Sequence, residues 1–174
     1  MIRSILKAAL LVMLLLFAGS AAAQIPDLDV LVPEAAECAD ESYAVPMYAG
    51  PTVQFRQMDA TLNPSEAFVC FGQNDCWTMV AQGTPDSFGP VGWVETAAIP
   101  AQDCAELLFE NQLAAMVEED APLTFVPASE EHPLLTLHHG DPIQILGRYE
   151  SFLYIETDKE DLPIRGFVPE STVE

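Results

Sequence analysis

The sequence predicts a mostly β protein made of two small five-stranded barrels in tandem, joined by a short helical linker. Three observations predict it. Short β-prone runs recur between clusters of Gly, Pro, Asn and Asp. Residues 62–80 can be laid on 137–155 without a gap. The 174 residues have room for one ordinary domain or two very small ones, and 50% apolar content argues against global disorder.

The N-terminus comes first. Arg3 and Lys7 precede an apolar run from Ala8 to Ala18, and Ala21-Ala22-Ala23 follows as an Ala-x-Ala cleavage site. This is the pattern of an export signal over residues 1–23. The run is short for a bilayer core of about 30 Å, so a cleaved signal is expected rather than an anchor. The mature chain then begins at Gln24, free of the membrane and either periplasmic or secreted. Residues 24–42 read as an acidic, Pro-containing extension.

Residues 43–100 form the first repeat unit and 122–174 the second. In the first, Phe68-Val-Cys-Phe71, Trp77-Thr-Met-Val80 and Gly92-Trp-Val94 read as strands. Their counterparts are Ile143-Gln-Ile-Leu146, Phe152-Leu-Tyr-Ile155 and Gly166-Phe-Val168. Turns are expected at Asn63-Pro-Ser65, Gly72-Gln-Asn-Asp75, Thr84-Pro-Asp86 and His139-Gly-Asp-Pro142. Five short strands in so few residues suggest a small barrel. Between the units, residues 101–121 form the linker. Leu107, Leu108 and Leu113 there can make one apolar side of a short helix, with Asp103 near its start.

Cys38, Cys70, Cys76 and Cys104 all follow the export signal. An even count in an exported protein reads as disulfides, and four cysteines allow three pairings. Cys70–Cys76, across a turn, and Cys38–Cys104, joining the ends of the first unit, are favoured; a buried free thiol at Cys70 is the alternative. The spacings lack the Cys-x2-Cys pair of a zinc site.

With these elements placed, the chain resembles tandem bacterial SH3-like domains. The first copy supplies Ala49-Gly-Pro51, Leu62, Phe68-Val-Cys-Phe71, Trp77-Thr-Met-Val80 and Gly92-Trp-Val94. The second supplies Leu137, His139-Gly-Asp141, Ile143-Gln-Ile-Leu146, Phe152-Leu-Tyr-Ile155 and Gly166-Phe-Val-Pro169. The resemblance implies exported binding modules, some of which bind peptidoglycan peptides. Eukaryotic relatives hold Pro-rich peptides in an aromatic groove. Trp77 and Phe152 match its Trp position and Pro169 its Pro. Its Tyr position falls on Ala98 and Thr172, and its early aromatic pair is reduced to Tyr48 or Phe125, which argues against Pro-rich peptide binding by that groove.

Charge bounds the partners. There are 27 acidic and six basic side chains, a net charge of -21 that becomes -23 when Arg3 and Lys7 leave with the signal. Nucleic acid and anionic lipid are excluded, since both need clustered Lys and Arg. The expected ligand contacts are Tyr48, Trp77, Trp93, Tyr149 and Phe152, because large aromatic faces suit a peptide or sugar surface. For the two Trp residues the competing role is core filling. His132, His138 and His139 read as solvated turn histidines rather than metal ligands. No catalytic constellation is present in the sequence, and no cofactor or metal is implied. The expected function is therefore a non-enzymatic exported binding module for peptidoglycan peptide or a basic envelope protein. The alternative is an acidic inhibitor or immunity-type protein that plugs a basic cleft.

Overall fold

The computed structural model describes residues 25–28, 35–109, 112–127, 133–159 and 162–174. The export signal expected over residues 1–23 lies outside them, as do His132 and residues 29–34 of the acidic extension. Among the described residues no helix is long and apolar enough to cross a membrane.

Among the described residues eleven strands carry the fold. The first five are β1 (Val45–Tyr48), β2 (Gln57–Leu62), β3 (Phe68–Gln73), β4 (Trp77–Thr84) and β5 (Ser87–Glu95). They make one antiparallel sheet in the order β2-β1-β5-β4-β3. Next come β6 (Leu113–Met116), β7 (Ala121–Leu123), β8 (Leu135–Leu137), β9 (Pro142–Tyr149), β10 (Phe152–Lys159) and β11 (Leu162–Pro169). Of these, β11-β10-β9-β6 form a sheet, and β7-β8 form a hairpin. Thr124 and Phe167 exchange backbone hydrogen bonds of 3.0 and 2.8 Å, joining that hairpin to β11. The second half thus repeats the strand order of the first. Neither set closes into a barrel among the described strands.

The repeat extends to irregularities. The β3–β4 register slips at Phe71 and the β9–β10 register slips at Leu146, the matching position. Such a bulge re-aims a side chain, and both Phe71 and Leu146 are fully buried in the same cluster. Each half also has its own core. Val45, Met47, Leu62, Phe68, Val80 and Val94 fill the first. Leu123, Leu137, Ile143, Ile155, Ile164 and Val168 fill the second.

A third core lies between the halves. Along β4, Thr78 and Val80 face inward while Trp77, Met79 and Ala81 face the other half; along β10, Leu153 and Ile155 alternate with Tyr154 in the same way. Trp93, Met79 and Phe71 meet Tyr154, Phe167 and Leu146 there. At its centre the Trp93 indole N–H donates to the Tyr154 hydroxyl at 2.9 Å, with both residues buried. Two backbone bonds cross between the halves at matched positions: Val91 N–H to Phe125 O at 2.8 Å, and Arg165 N–H to Ala49 O at 3.1 Å. The halves are therefore related by an approximate two-fold and share one interior.

Two straps complete this arrangement. In the first, Asp27 bridges Arg148 of the second half and Ala35 bridges Val69 of the first. In the second, Glu106 bridges Gln73 of the first half, and Ala114 pairs with Gln144 of the second. Leu28 and Leu107 occupy matching buried positions. Each passes over a glycine: a Cβ on Gly72 would sit 2.8 Å from Leu107 Cβ, and one on Gly147 would sit 3.1 Å from Pro26 O.

The helical linker expected over residues 101–121 is corrected here. Residues 101–109 contain no helix, and Glu106 bridges Gln73, with Gln73 N–H bonded to Ala105 O at 2.8 Å and Leu107 N–H to Gln73 O at 2.7 Å. Leu107 is 3% exposed while Leu108 and Leu113 are about half exposed, so the leucines share no single helical face. The backbone finds its partners on β3, which removes the need for helical bonds.

The cysteine pairing also differs from expectation. Cys70 is bonded to Cys104, 34 residues on, while Cys38 and Cys76 are exposed thiols. The strap carrying Leu107 lays Cys104 beside β3 and brings it to Cys70. Cys76 sits past the end of β3, in a turn held by the Asn74 carboxamide, which accepts from Trp77 N–H at 3.0 Å. The Cys38 thiol lies at the other end of β3 and donates to Glu66 O at 3.4 Å. A disulfide fits an oxidising compartment.

Candidate ligand-binding cleft

An open cleft of about 470 Å³ lies where the two halves meet. Its lining residues are Pro85, Asp86, Ser87, Phe88, Val126, Pro127, Tyr149 and Glu150. Three segments build it. Thr84 pairs with Ser87, so Pro85-Asp86 is the two-residue turn between β4 and β5. Val126-Pro127 follows β7, held by the Phe125 carbonyl that accepts from Val91 N–H. Phe152 pairs with Tyr149, so Glu150-Ser151 is the turn between β9 and β10.

The aromatic wall is continuous with the shared core. The Phe88 and Tyr149 rings meet edge-to-face, 5.9 Å apart at 87°. Both rest on Phe71, at 5.3 and 6.2 Å. Such contacts fix ring orientation, so the wall is preformed. Two carboxylates, Asp86 and Glu150, stand among the lining residues. Glu150 has φ +50° and is the one non-glycine residue among those described with a positive φ. A left-handed conformation disfavours every side chain that carries a Cβ.

The five aromatics expected from sequence do not form one site. Tyr149 lines the cleft. Phe152 is half-buried and packs against the shared core. Tyr48 and Trp77 form their own edge-to-face pair, 5.4 Å apart. Trp77 is 9% exposed, and Trp93 is fully buried with its indole N–H donated to the Tyr154 hydroxyl. Trp93 is thus a core residue. Tyr48 bridges Trp93 as Thr124 bridges Phe167, so the structural partner of Tyr48 is Thr124, and Phe125 matches Ala49. Phe88, Pro85, Asp86 and Pro127 were not anticipated as site residues. The Thr84-Pro-Asp86 turn was legible, but its meeting with the β9–β10 turn of the other half was not.

The turn histidines are engaged locally. His138 Nδ1 lies 3.0 Å from the Asp120 carboxylate, and His139 Nδ1 lies 2.7 Å from Glu118 O. The His139 backbone N–H, then the His138 side chain, hold the Asp120 carboxyl below its usual range. The Lys159 ammonium, then the His138 backbone N–H, do the same for Asp141. Among the described residues no group of three or more His, Cys, Asp or Glu is placed to hold a metal ion.

Compared with protein-family models, curated proteins and solved structures, the chain matches none.

Proposed function

We propose that this chain is an exported, non-enzymatic binding protein of two SH3-like halves whose partner is a basic protein of the cell envelope. One observation carries this reading. Six Lys and Arg residues face 27 acidic ones, and two of the six lie in the expected signal. Of the other four, three are already neutralised within the fold: Arg148 by Glu170, Lys159 by Asp141 at 2.7 Å, and Arg165 by Glu156 at 2.6 Å. The protein therefore presents an almost unrelieved anionic surface. Such a field speeds encounter with cationic partners and repels anionic ones. The repeated strand order supports the SH3-like reading, and the disulfide supports export.

Sedimentation with two envelope preparations tests this, one of purified peptidoglycan and one retaining its proteins. Co-sedimentation with the protein-bearing fragments that falls steeply with salt is expected, because screening acts over about 10 Å at 0.1 M. Equal binding to bare peptidoglycan that survives moderate salt would replace the basic-protein reading with a peptidoglycan-peptide one. No binding to either at low salt would refute both. An inhibitor-type role uses the same charge and is distinguished by loss of the partner's enzymatic activity on titration.

A further inference from the structure

We propose that the cleft between the halves takes a Lys or Arg side chain presented by an extended segment of the partner. This deepens the basic-partner reading and rests on it. The lining combines what a long cationic side chain needs. Pro85, Phe88, Pro127 and Tyr149 offer apolar surface for its methylene stem, and the aromatic rings attract the charged head. Asp86 and Glu150 supply carboxylates for a charge-assisted hydrogen bond.

The approximate two-fold provides an internal control. It relates Tyr149 to Asn74, Phe88 to Pro163, and Pro127 to Pro51. The same junction thus occurs twice, but only one carries the aromatic pair. Asn74 and Pro163 hold the matching places in the other junction, so the fold itself does not require Tyr149 and Phe88. Glu150 also differs between the two junctions. It retains a carboxylate at a left-handed turn position that glycine would occupy without strain, whereas its counterpart Asp75 has no positive φ. A positive φ at the first residue of a two-residue hairpin turn matches the twist of the strands it joins, so the non-symmetric aromatic pair, not the turn conformation, marks the site.

The test uses the full exported chain and four short extended peptides, identical except for a central Lys, Arg, norleucine or Glu. Binding is followed by residue-resolved NMR shifts at low salt. The Lys and Arg peptides are expected to shift Phe88, Tyr149 and Glu150 resonances. The norleucine peptide, which keeps the stem and lacks the charge, is expected to bind about tenfold more weakly, and the Glu peptide not at all. Phe88→Leu, which removes the ring and keeps an apolar side chain, and Asp86→Asn are each expected to weaken Lys-peptide binding severalfold. Asn74→Ala and Pro163→Ala are expected to leave it unchanged, with folding of all four checked by circular dichroism. Equal binding of the Lys and norleucine peptides would overturn the cationic assignment. Shifts spread over the acidic surface and indifferent to Phe88→Leu would overturn the cleft while leaving the basic-partner reading intact. No shift with either cationic peptide would overturn both.

Discussion

Tyr154→Phe removes one oxygen from the centre of the shared core, and its effect can be worked from the geometry. The Trp93 N–H donates to that oxygen at 2.9 Å, and Trp93 is fully buried. Without the hydroxyl the donor is stranded, which costs about 1–3 kcal/mol. Burial pushes the Tyr154 hydroxyl up to about 12, partly opposed by the nearby Arg165 guanidinium. The unfolded hydroxyl ionises near 10. With the folded pKa raised, the wild-type advantage is complete below about pH 10 and is lost as pH rises towards 12. At about 1.4 kcal/mol per unit, the loss across that window is about 2–3 kcal/mol. Urea unfolding followed by circular dichroism, at neutral pH and in steps through the alkaline range, measures both. The variant should be less stable by about 1–3 kcal/mol at neutral pH and should lack this component of the alkaline decline, so the two curves converge. Both proteins should unfold in one transition with equal denaturant slope, because the pair joins the halves. A variant within about 0.5 kcal/mol of wild type at neutral pH, or a parallel alkaline decline in both, would refute the reasoning.

Four further outcomes are expected. A thiol reagent should label Cys38 and Cys76 in the folded protein; the Cys70–Cys104 bond should require prior reduction, and its loss should lower stability by about 4 kcal/mol for a 34-residue separation. Gly72→Ala should destabilise by about 1–3 kcal/mol and more than Gly147→Ala, since its Cβ meets Leu107 Cβ at 2.8 Å while that of Gly147 meets Pro26 O at 3.1 Å; thermal melts of the pair would show equal losses if the straps were loosely seated. The depressed Asp141 carboxyl contributes stability that is present above its unfolded value near 3.8 and lost as pH falls through the folded value. Asp141→Asn should therefore melt lower at neutral pH and show a flatter acid decline. Glu150→Gly should relieve the left-handed strain and raise stability by about 0.5–1 kcal/mol while weakening binding of the Lys peptide; a loss of stability would mean that the turn is not strained.

Part of this fold was legible in the sequence. The strands were, because Phe68-Val-Cys-Phe71 and Ile143-Gln-Ile-Leu146 carry their own β preference and sit between clear turns. The straps were not, although their signal was present. Asp27-Leu28 precedes Ala35-Ala36 at the same spacing as Glu106-Leu107 precedes Ala114-Ala115. The second of these passed for a helix because Leu107, Leu108 and Leu113 fit a helical period and the competing partner, the edge of β3, is invisible locally. Missing the strap also misled the cysteine pairing, since Cys104 reaches Cys70 only because the strap lies along β3. The cleft failed for a related reason. Tyr149 could be picked out as a turn aromatic, but Phe88 gains meaning only beside a turn 60 residues away in the other half.

The same two-fold that fuses the halves also explains why a site belongs at their junction. A β unit of some 50 residues buries little surface alone, and here each half sends its bulged residue, Phe71 or Leu146, outward to meet the other. The strands whose outer faces are used for this purpose cannot also present those faces to a ligand, and Trp93 is spent in the interior for that reason. What remains open is the rim, where turns from both halves meet and side chains are no longer fixed by packing on every side. There the duplicated positions have diverged, with Tyr149 and Phe88 at one junction and Asn74 and Pro163 at the other. Phe88 and Tyr149 rest on Phe71, and Tyr149 also packs against Phe167, so each half contributes a ring to the wall and to the core behind it. A ligand held by that wall contacts both halves at once and is read by their fixed separation, which neither half could supply alone.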